Sequence, residues 1–178
     1  MEAAALRDWI EQEIGYHLLG ARGIPVAGDC INEARWFETE EGIPLFVKVN
    51  QASRLDLFDK EARGLKLLKE AGKIRVPSVY GRGIVDRNAV HVLEGIPMAH
   101  STRAENQQRL GRELAALHQC PSPDGHFGSN FDNHIGSTRQ VNAPHSDWTE
   151  FFLVNRIGFQ LDLAVENGWK IADRDELF

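Results

Sequence analysis

The stretch that decides the fold is Phe46-Val47-Lys48-Val49-Asn50. Its alternating pattern predicts a β-strand in which the side chain of Lys48 points to the face opposite Val47 and Val49. A lysine in the middle of a strand is costly to bury unless a negative group meets its ammonium. The alternative is a lysine on a solvated strand face, and the strand by itself does not decide between the two.

A carboxylate that could meet Lys48 lies on the next predicted element. Residues 56–71 are predicted to form a helix, and Gly72 stands where a C-terminal cap belongs. The face that carries Glu61 is otherwise apolar, with Leu57, Leu65 and Leu68. A pair between Lys48 and Glu61 would satisfy both charges. The alternative is an exposed Glu61 on the helix surface.

A glycine loop precedes the strand of Lys48. The segment Gly28-Asp29-Cys30-Ile31-Asn32 is predicted to connect two strands, over residues 24–26 and 31–39. Backbone N–H groups at such a tip can approach phosphate oxygens where no side chain intervenes. Any hairpin contains a glycine, so the loop gains weight only together with Lys48 and Glu61. The three features together predict a site for nucleotide phosphates.

The remaining patterns predict an α+β protein in two parts. The other expected elements are an amphipathic helix over residues 3–14, strands over 76–85 and 88–94, and helices over 102–119 and 148–167.

The segment Gly95-Ile96-Pro97 ends the last strand as a hinge, and residues 120–146 are expected to be one long irregular segment. The prediction is a lobe over residues 1–97, with a five-stranded antiparallel sheet, followed by an incomplete helical lobe over residues 98–178.

Composition excludes several classes of protein. The 178 residues carry a net charge of −6, which argues against a nucleic-acid partner and against a basic membrane surface. No apolar run approaches the roughly 20 residues of a membrane span. The acidic start, without a signal-peptide pattern, predicts a cytoplasmic protein with reduced thiols. The cysteines and histidines show no metal-ligand spacing, so no metal site is expected.

At these motifs the chain resembles the fructosamine kinase (ketosamine-3-kinase) family, within the protein-kinase-like and aminoglycoside-phosphotransferase-like fold. The resemblance runs over about residues 20–165 and rests on several short segments in combination. These segments are Gly28-Asp29-Cys30-Ile31-Asn32, Phe46-Val47-Lys48-Val49-Asn50, Glu61-Ala62-Arg63-Gly64-Leu65, Ile74-Arg75-Val76-Pro77, Phe127-Gly128, Asp132-Asn133-His134-Ile135-Gly136, Asp147-Trp148 and Glu150-Phe151-Phe152.

The resemblance implies a kinase that uses ATP to phosphorylate the sugar 3-hydroxyl of ketoamines, the products of glycation, so that the amine is repaired. It implies that Lys48 holds the phosphates, that Glu61 pairs with Lys48, and that Gly28 to Asn32 cover the nucleotide. It also implies that Glu94, Gly95 and Ile96 frame the adenine.

The family's catalytic loop, H-G-D-x-x-x-x-N, and its later metal-binding Asp are not found before Phe178. The expectation is therefore that this chain holds no catalytic residue and no Mg²⁺ ligand, and is inactive by itself. Two alternatives stay open. One is a non-catalytic nucleotide-binding or dimerising module, and the other is a kinase of the same fold that acts on an aminoglycoside, choline or another small alcohol.

Many members of the family carry a loop cysteine that can join two subunits through a disulfide, and Cys30 matches that position. The resemblance thus implies a redox-active Cys30 and a possible homodimer, whereas the alternative is a small buried hydrophobic residue. We expect Cys30→Ser to remove any oxidant-induced dimer on a non-reducing gel. A dimer that survives this change would point to Cys120 instead.

Overall fold

The computed structural model describes residues 1–28, 31–97 and 103–170. Within it the chain forms two compact units, one that ends at Cys120 and one that begins at Pro121. The division into lobes at residue 97, predicted from the hinge sequence, stays a prediction.

The described part of the first unit contains three α-helices and five β-strands. In chain order they are α1 (Ala3–Ile14), β1 (Leu18–Val26), β2 (Glu33–Thr39), β3 (Leu45–Gln51), α2 (Leu55–Ala71, preceded by a 3₁₀ turn at Ala52–Arg54), β4 (Val79–Val85), β5 (Asn88–Glu94) and α3 (Arg103–His118).

The five strands form one antiparallel sheet in the order β1-β2-β3-β5-β4, so that β3 is central. This confirms the predicted α+β fold with a five-stranded antiparallel sheet. Strand β1 begins at Leu18, earlier than predicted. The sequence pattern did not indicate this start, because the residues after Leu18 are largely exposed, include glycines and show no apolar alternation. Its register against β2 shifts between Leu19 and Ile24.

The main hydrophobic core lies on one face of the sheet, beneath α1. Leu6 and Ile10 of α1 are buried against alternate residues of the sheet, among them Val47, Val49 and Val90. The opposite face of the sheet carries α2, in which Phe58 and Ala62 are buried. Because side chains alternate along a strand, Lys48 belongs to the α2 face. The central strand therefore serves the core with one set of residues and faces α2 with the other.

The described part of the second unit consists of two short strands followed by a helical segment. Its elements are β6 (Asn133–Ile135), β7 (Thr138–Gln140), α4 (Trp148–Phe152), a π-helical stretch (Leu153–Gly158) and α5 (Phe159–Glu166). Asp147 is the N-cap of α4: its side chain accepts a hydrogen bond from the backbone N–H of Glu150 at 2.9 Å.

Residues 120–146 are not one irregular segment, and that prediction was wrong. Strands β6 and β7 form a hairpin across the two-residue turn Gly136-Ser137. Its strands are short and polar, so no apolar alternation announced them, although Gly-Ser between paired residues is a known hairpin signal. Asp132 holds the hairpin by accepting hydrogen bonds from Arg139 and from the backbone N–H of Asn142.

The last predicted helix is not a continuous α-helix, because it widens to a π-helical stretch at Leu153–Gly158. Two side chains of this stretch turn towards the preceding loop. Asn155 donates to the carbonyl of Ala143 at 2.8 Å, and Arg156 donates to the carbonyl of Val141 and to the side chain of Asn142. No helix in the described ranges 1–28, 31–97 and 103–170 is both long and apolar enough to cross a membrane.

Gly23 fixes the packing of β1 and gives a test of the fold. Its φ is +60°, and a Cβ atom there would lie 2.7 Å from the ring of Phe37. Gly20, on the same strand, also has a positive φ (+88°) but has open space around it. We expect Gly23→Ala to lower the free energy of unfolding by about 1–3 kcal/mol more than Gly20→Ala, since both strain the backbone and only the first overpacks the core.

Urea unfolding of the two variants, followed by circular dichroism, measures this difference. Equal losses would show that the contact between β1 and Phe37 relaxes freely.

Candidate functional site

The structure brings Lys48 of β3 and Glu61 of α2 together. The Lys48 Nζ donates to both carboxylate oxygens of Glu61, at 3.1 Å to Oε1 and 2.9 Å to Oε2. The side chain of Lys48 is 14% exposed and that of Glu61 is 33% exposed. The pair is therefore shielded from bulk water on the lysine side and is still open towards solvent at the carboxylate. The geometry selects the paired arrangement over the solvated lysine that the strand pattern left open.

The environment keeps Glu61 ionised. Burial raises the pKa of Glu61, but the neighbouring His91 and the hydrogen-bonded ammonium of Lys48 together outweigh burial, so the pKa of the carboxyl lies below its ordinary value. A carboxylate at neutral pH then faces a lysine ammonium across a short hydrogen bond. The arrangement holds a positive charge in a fixed place at the surface of the sheet.

His91 is part of this site, although the sequence motifs did not single it out. It lies directly opposite Lys48 in the antiparallel pairing of β3 with β5, so the two side chains share a face. Its side chain is fully buried, and its Nδ1 lies 3.6 Å from Oε2 of Glu61. The available signal was a single polar residue within the apolar run Ala89-Val90-His91-Val92-Leu93.

Asn50 connects the glycine loop to the same strand. Its side-chain Nδ2 donates to the carbonyl of Ile31 at 3.0 Å and to Oδ1 of Asn32 at 2.8 Å. Asn50 is two residues after Lys48, so both side chains lie on one face of β3. The return end of the loop is thereby tied next to the ion pair. Two-residue spacing from Lys48 is the signal by which Asn50 could have been found.

The loop itself is partly described. Gly28 is exposed and has a φ of +117°, a conformation that suits glycine, and a Cβ atom there would meet nothing within 4 Å. Ile31 is exposed, and Asn32 is half-buried beneath Asn50. Asp29 and Cys30 lie outside the described residues, so the predicted roles of these two residues stay predictions.

The hinge segment lies at the other end of the strand that carries Lys48. Glu94 pairs with Leu45 of β3, whereas His91 pairs with Lys48, so the two places are three residues apart, or about 10 Å. The Glu94 carboxylate is engaged by Arg75 and by the backbone N–H of Ser78. The hydrogen bond from Ser78, and then that from Arg75, lower the pKa of Glu94.

Two backbone donors of the hinge are already in use. The N–H of Glu94 donates to the carbonyl of Ser78, and the N–H of Gly95 donates to the carbonyl of Pro44, both at 2.8 Å. A Cβ atom on Gly95 would lie 2.8 Å from the ring of Trp36, so packing alone requires the glycine. A ligand that seeks a backbone donor here would have to use the following residue, Ile96.

The described residues contain no group of three or more His, Cys, Asp or Glu side chains arranged to hold a metal ion. The ammonium of Lys48 can bind an anion beside the glycine loop, and the hinge backbone lies about 10 Å away along the sheet. A polyphosphate attached to a flat, hydrogen-bonding base is the kind of ligand that suits this arrangement of glycine loop, Lys48 and hinge backbone.

Comparison with known proteins points to one family. A family model described as fructosamine kinase matches residues 3–178. The chain is 36% identical over 164 residues to the chloroplastic protein-ribulosamine 3-kinase of Arabidopsis thaliana. The match covers 92% of this chain and 49% of that protein. It is 40% identical over 131 residues to a "Probable ketoamine kinase" of Vibrio parahaemolyticus, covering 74% of this chain and 45% of that protein.

A solved structure shows the same likeness in three dimensions. A Haemophilus somnus protein, described as a candidate fructosamine-3-kinase, superposes with a TM-score of 0.82 at 27% identity. The match covers 99% of this chain and 59% of that one. The chain belongs to the fructosamine kinase family, which confirms the resemblance seen in its motifs. It spans about half the length of the curated relatives that it matches.

The lowered pKa of Glu61 predicts a pH-dependent contribution to stability. A carboxyl whose pKa is depressed by folding stabilises the folded state above its unfolded value, about 4.5, and this stabilisation is lost as the pH falls through the lower folded-state pKa. We expect Glu61→Gln to cost roughly 1–2 kcal/mol at pH 7 and progressively less below pH 4.5.

Urea titrations of both proteins between pH 3 and pH 7 measure this effect. Glu70→Gln is the matched control, because Glu70 lies on the same helix, is mostly exposed and makes only a 3.8 Å contact with Lys66. A Glu61→Gln penalty that stays constant over this pH range would contradict the assignment.

Proposed function

We propose that this chain is the nucleotide-holding part of a ketoamine kinase, an enzyme that transfers the γ-phosphoryl group of ATP to the sugar 3-hydroxyl of a ketoamine. The observation that carries the proposal is the hydrogen-bonded pair of Lys48 and Glu61 between β3 and α2. In kinases a lysine held in this way by a helix carboxylate positions the nucleotide phosphates.

The residues present suit the phosphates of ATP. The ammonium of Lys48 supplies positive charge, and the hydrogen bonds to Glu61 fix its direction. Gly28 leaves room for close approach of the loop backbone, and Asn50 ties the loop end beside Lys48. In this arrangement the chain contributes positioning and electrostatic stabilisation, which dominate phosphoryl transfer.

The hinge suits the adenine ring. The N–H of Ile96 is the backbone donor of the segment 94–96 that is left for an adenine edge, because the N–H groups of Glu94 and Gly95 are engaged. The separation between the hinge and Lys48, about 10 Å, is similar to the reach from an adenine ring to the outer phosphates. Gly28, Asp29, Cys30, Ile31 and Asn32 would then cover the nucleotide.

A magnesium ion is part of the chemistry that ATP-dependent kinases use, since it neutralises charge on the phosphates. The described residues hold no cluster suited to it. That the magnesium ligands and the catalytic base belong to a later part of the family's sequence stays a prediction.

The substrate class rests on the relatives. Those that match are named as kinases of ribulosamines and ketoamines, which supports a ketoamine over an aminoglycoside or choline. A cytoplasmic location and a homodimer through Cys30 stay predictions. The name of the Arabidopsis relative places that protein in the chloroplast.

Replacement of Lys48 tests the nucleotide site. We expect Lys48→Met, which keeps the aliphatic stem, to weaken ATP binding about ten- to hundredfold, because a hydrogen-bonded charge on the phosphates is lost. The measurement is the shift in melting temperature of the 178-residue chain as ATP is added. Lys66→Met is the control, since Lys66 is exposed on α2 and makes only a 3.8 Å contact with Glu70.

An ATP shift that persists in Lys48→Met would overturn the role of Lys48. The reaction itself is tested with the complete gene product, by following transfer of the γ-phosphoryl group from labelled ATP to a ribulosamine. Binding of ATP without transfer to any ketoamine, aminoglycoside or choline would favour the non-catalytic nucleotide-binding module.

A further inference from the structure

His91 is a buried polar group that the proposed nucleotide site does not yet use. Its side chain is fully buried in the middle of β5, and neither ring nitrogen has a hydrogen-bond partner among the described residues. Buried polar groups in folded proteins are almost always hydrogen-bonded, so an orphaned imidazole calls for a physical explanation. An apolar side chain of similar size at this place would avoid the cost.

The surroundings of His91 point at Glu61. On α2, the ring of Phe58 lies 5.2 Å from the imidazole, between ring centroids, and fixes its tilt. On the same helix, Oε2 of Glu61 lies 3.6 Å from Nδ1. This is outside a normal hydrogen bond, and a shift of the carboxylate by under about 1 Å would close it.

The charged residues that lie opposite His91 on the two neighbouring strands are both cations, so neither offers an acceptor to Nδ1 of His91. On β3, Lys48 lies opposite His91 and is itself bonded to Glu61. On β4, Arg82 lies opposite His91 and pairs with Asp59 of α2. Both neighbours are cations, and of the charges around His91 the Glu61 carboxylate is the acceptor within reach of its ring.

We propose that His91 is a positioning residue of the nucleotide site: its ring carries a proton on Nδ1 and donates it to Oε2 of Glu61. The inference rests on the proposed function, because it names what holds Glu61 while Lys48 engages phosphate. When Lys48 turns towards a phosphate, its hydrogen bonds to the carboxylate of Glu61 weaken. A second donor, held rigid by Phe58, keeps the carboxylate in place and so keeps Lys48 directed.

Two substitutions separate this role from packing. His91→Phe keeps the ring volume against Phe58 and removes the donor. His91→Asn places an amide N–H near the position of Nδ1 but leaves the space of the ring unfilled. Packing alone predicts that the asparagine variant is the more damaged in every respect, because it creates a cavity.

The donor role predicts opposite rankings in two measurements on the 178-residue chain. We expect His91→Asn to melt at a lower temperature than His91→Phe. We expect the dissociation constant for ATP to rise about three- to tenfold in His91→Phe and to stay within about twofold of the original in His91→Asn. ATP affinities that follow the order of the melting temperatures, or that are equal in all three proteins, would overturn the proposal.

A measurement on the unsubstituted chain keeps the inference independent of whether the variants fold. Long-range ¹H–¹⁵N spectra of the imidazole report which nitrogen carries the proton. We expect the Nδ1–H form, and we expect Glu61→Gln to change the Nδ1 signal. A proton on Nε2, unaffected by Glu61→Gln, would overturn the contact with Glu61.

The two proposals fail in different ways. If ATP does not stabilise the unsubstituted chain at all, the proposed function fails, and with it the effect of His91 on ATP. If ATP binds and Lys48→Met abolishes binding while His91→Phe does not weaken it, the nucleotide site stands and His91 has no part in positioning it.

Discussion

The pairing of one lysine with one carboxylate across the gap between β3 and α2 is the constraint on which the rest of the site depends. Lys48 is too buried to be solvated freely, and removing its partner would leave an uncompensated charge. A pair of apolar side chains would serve the fold as well, because the cost of taking two charges out of water largely offsets their attraction. Stability alone does not account for the ion pair, whereas the proposed nucleotide site needs a fixed positive charge at this place.

The central position of β3 lets a single strand supply both the core and the site. Val47 and Val49 are buried under α1, and Lys48 and Asn50 face the other way. A slip of one residue in the register would exchange these two sets. The hydrophobic core therefore fixes the register, and the register in turn places the lysine beneath α2. The geometry of this site depends on a packing that lies on the far side of the sheet.

Much of this arrangement could be predicted from local sequence patterns, because they reflect local physics. The apolar period of α2 and its glycine cap marked the helix, and alternation marked β3. The sequence marks His91 as a polar residue in an apolar run, but its place beside Glu61 could not be predicted, since it depends on which residue of β5 lies opposite Lys48, and the pairing register is not written in either strand alone. The hairpin at β6 and β7 was missed because hydrogen bonds to Asp132, rather than apolar alternation, hold it.

The position of α2 links these observations. The carboxylate of Glu61 is carried by α2, and the buried side chains of Phe58 and Ala62 seat this helix on the sheet. Phe58 also packs on His91, so one aromatic contact sets both the height of the helix and the tilt of the imidazole. A change of well under 1 Å at that contact is enough to make or break a hydrogen bond to Glu61. The strength of an electrostatic site is in this way governed by an apolar contact beneath it.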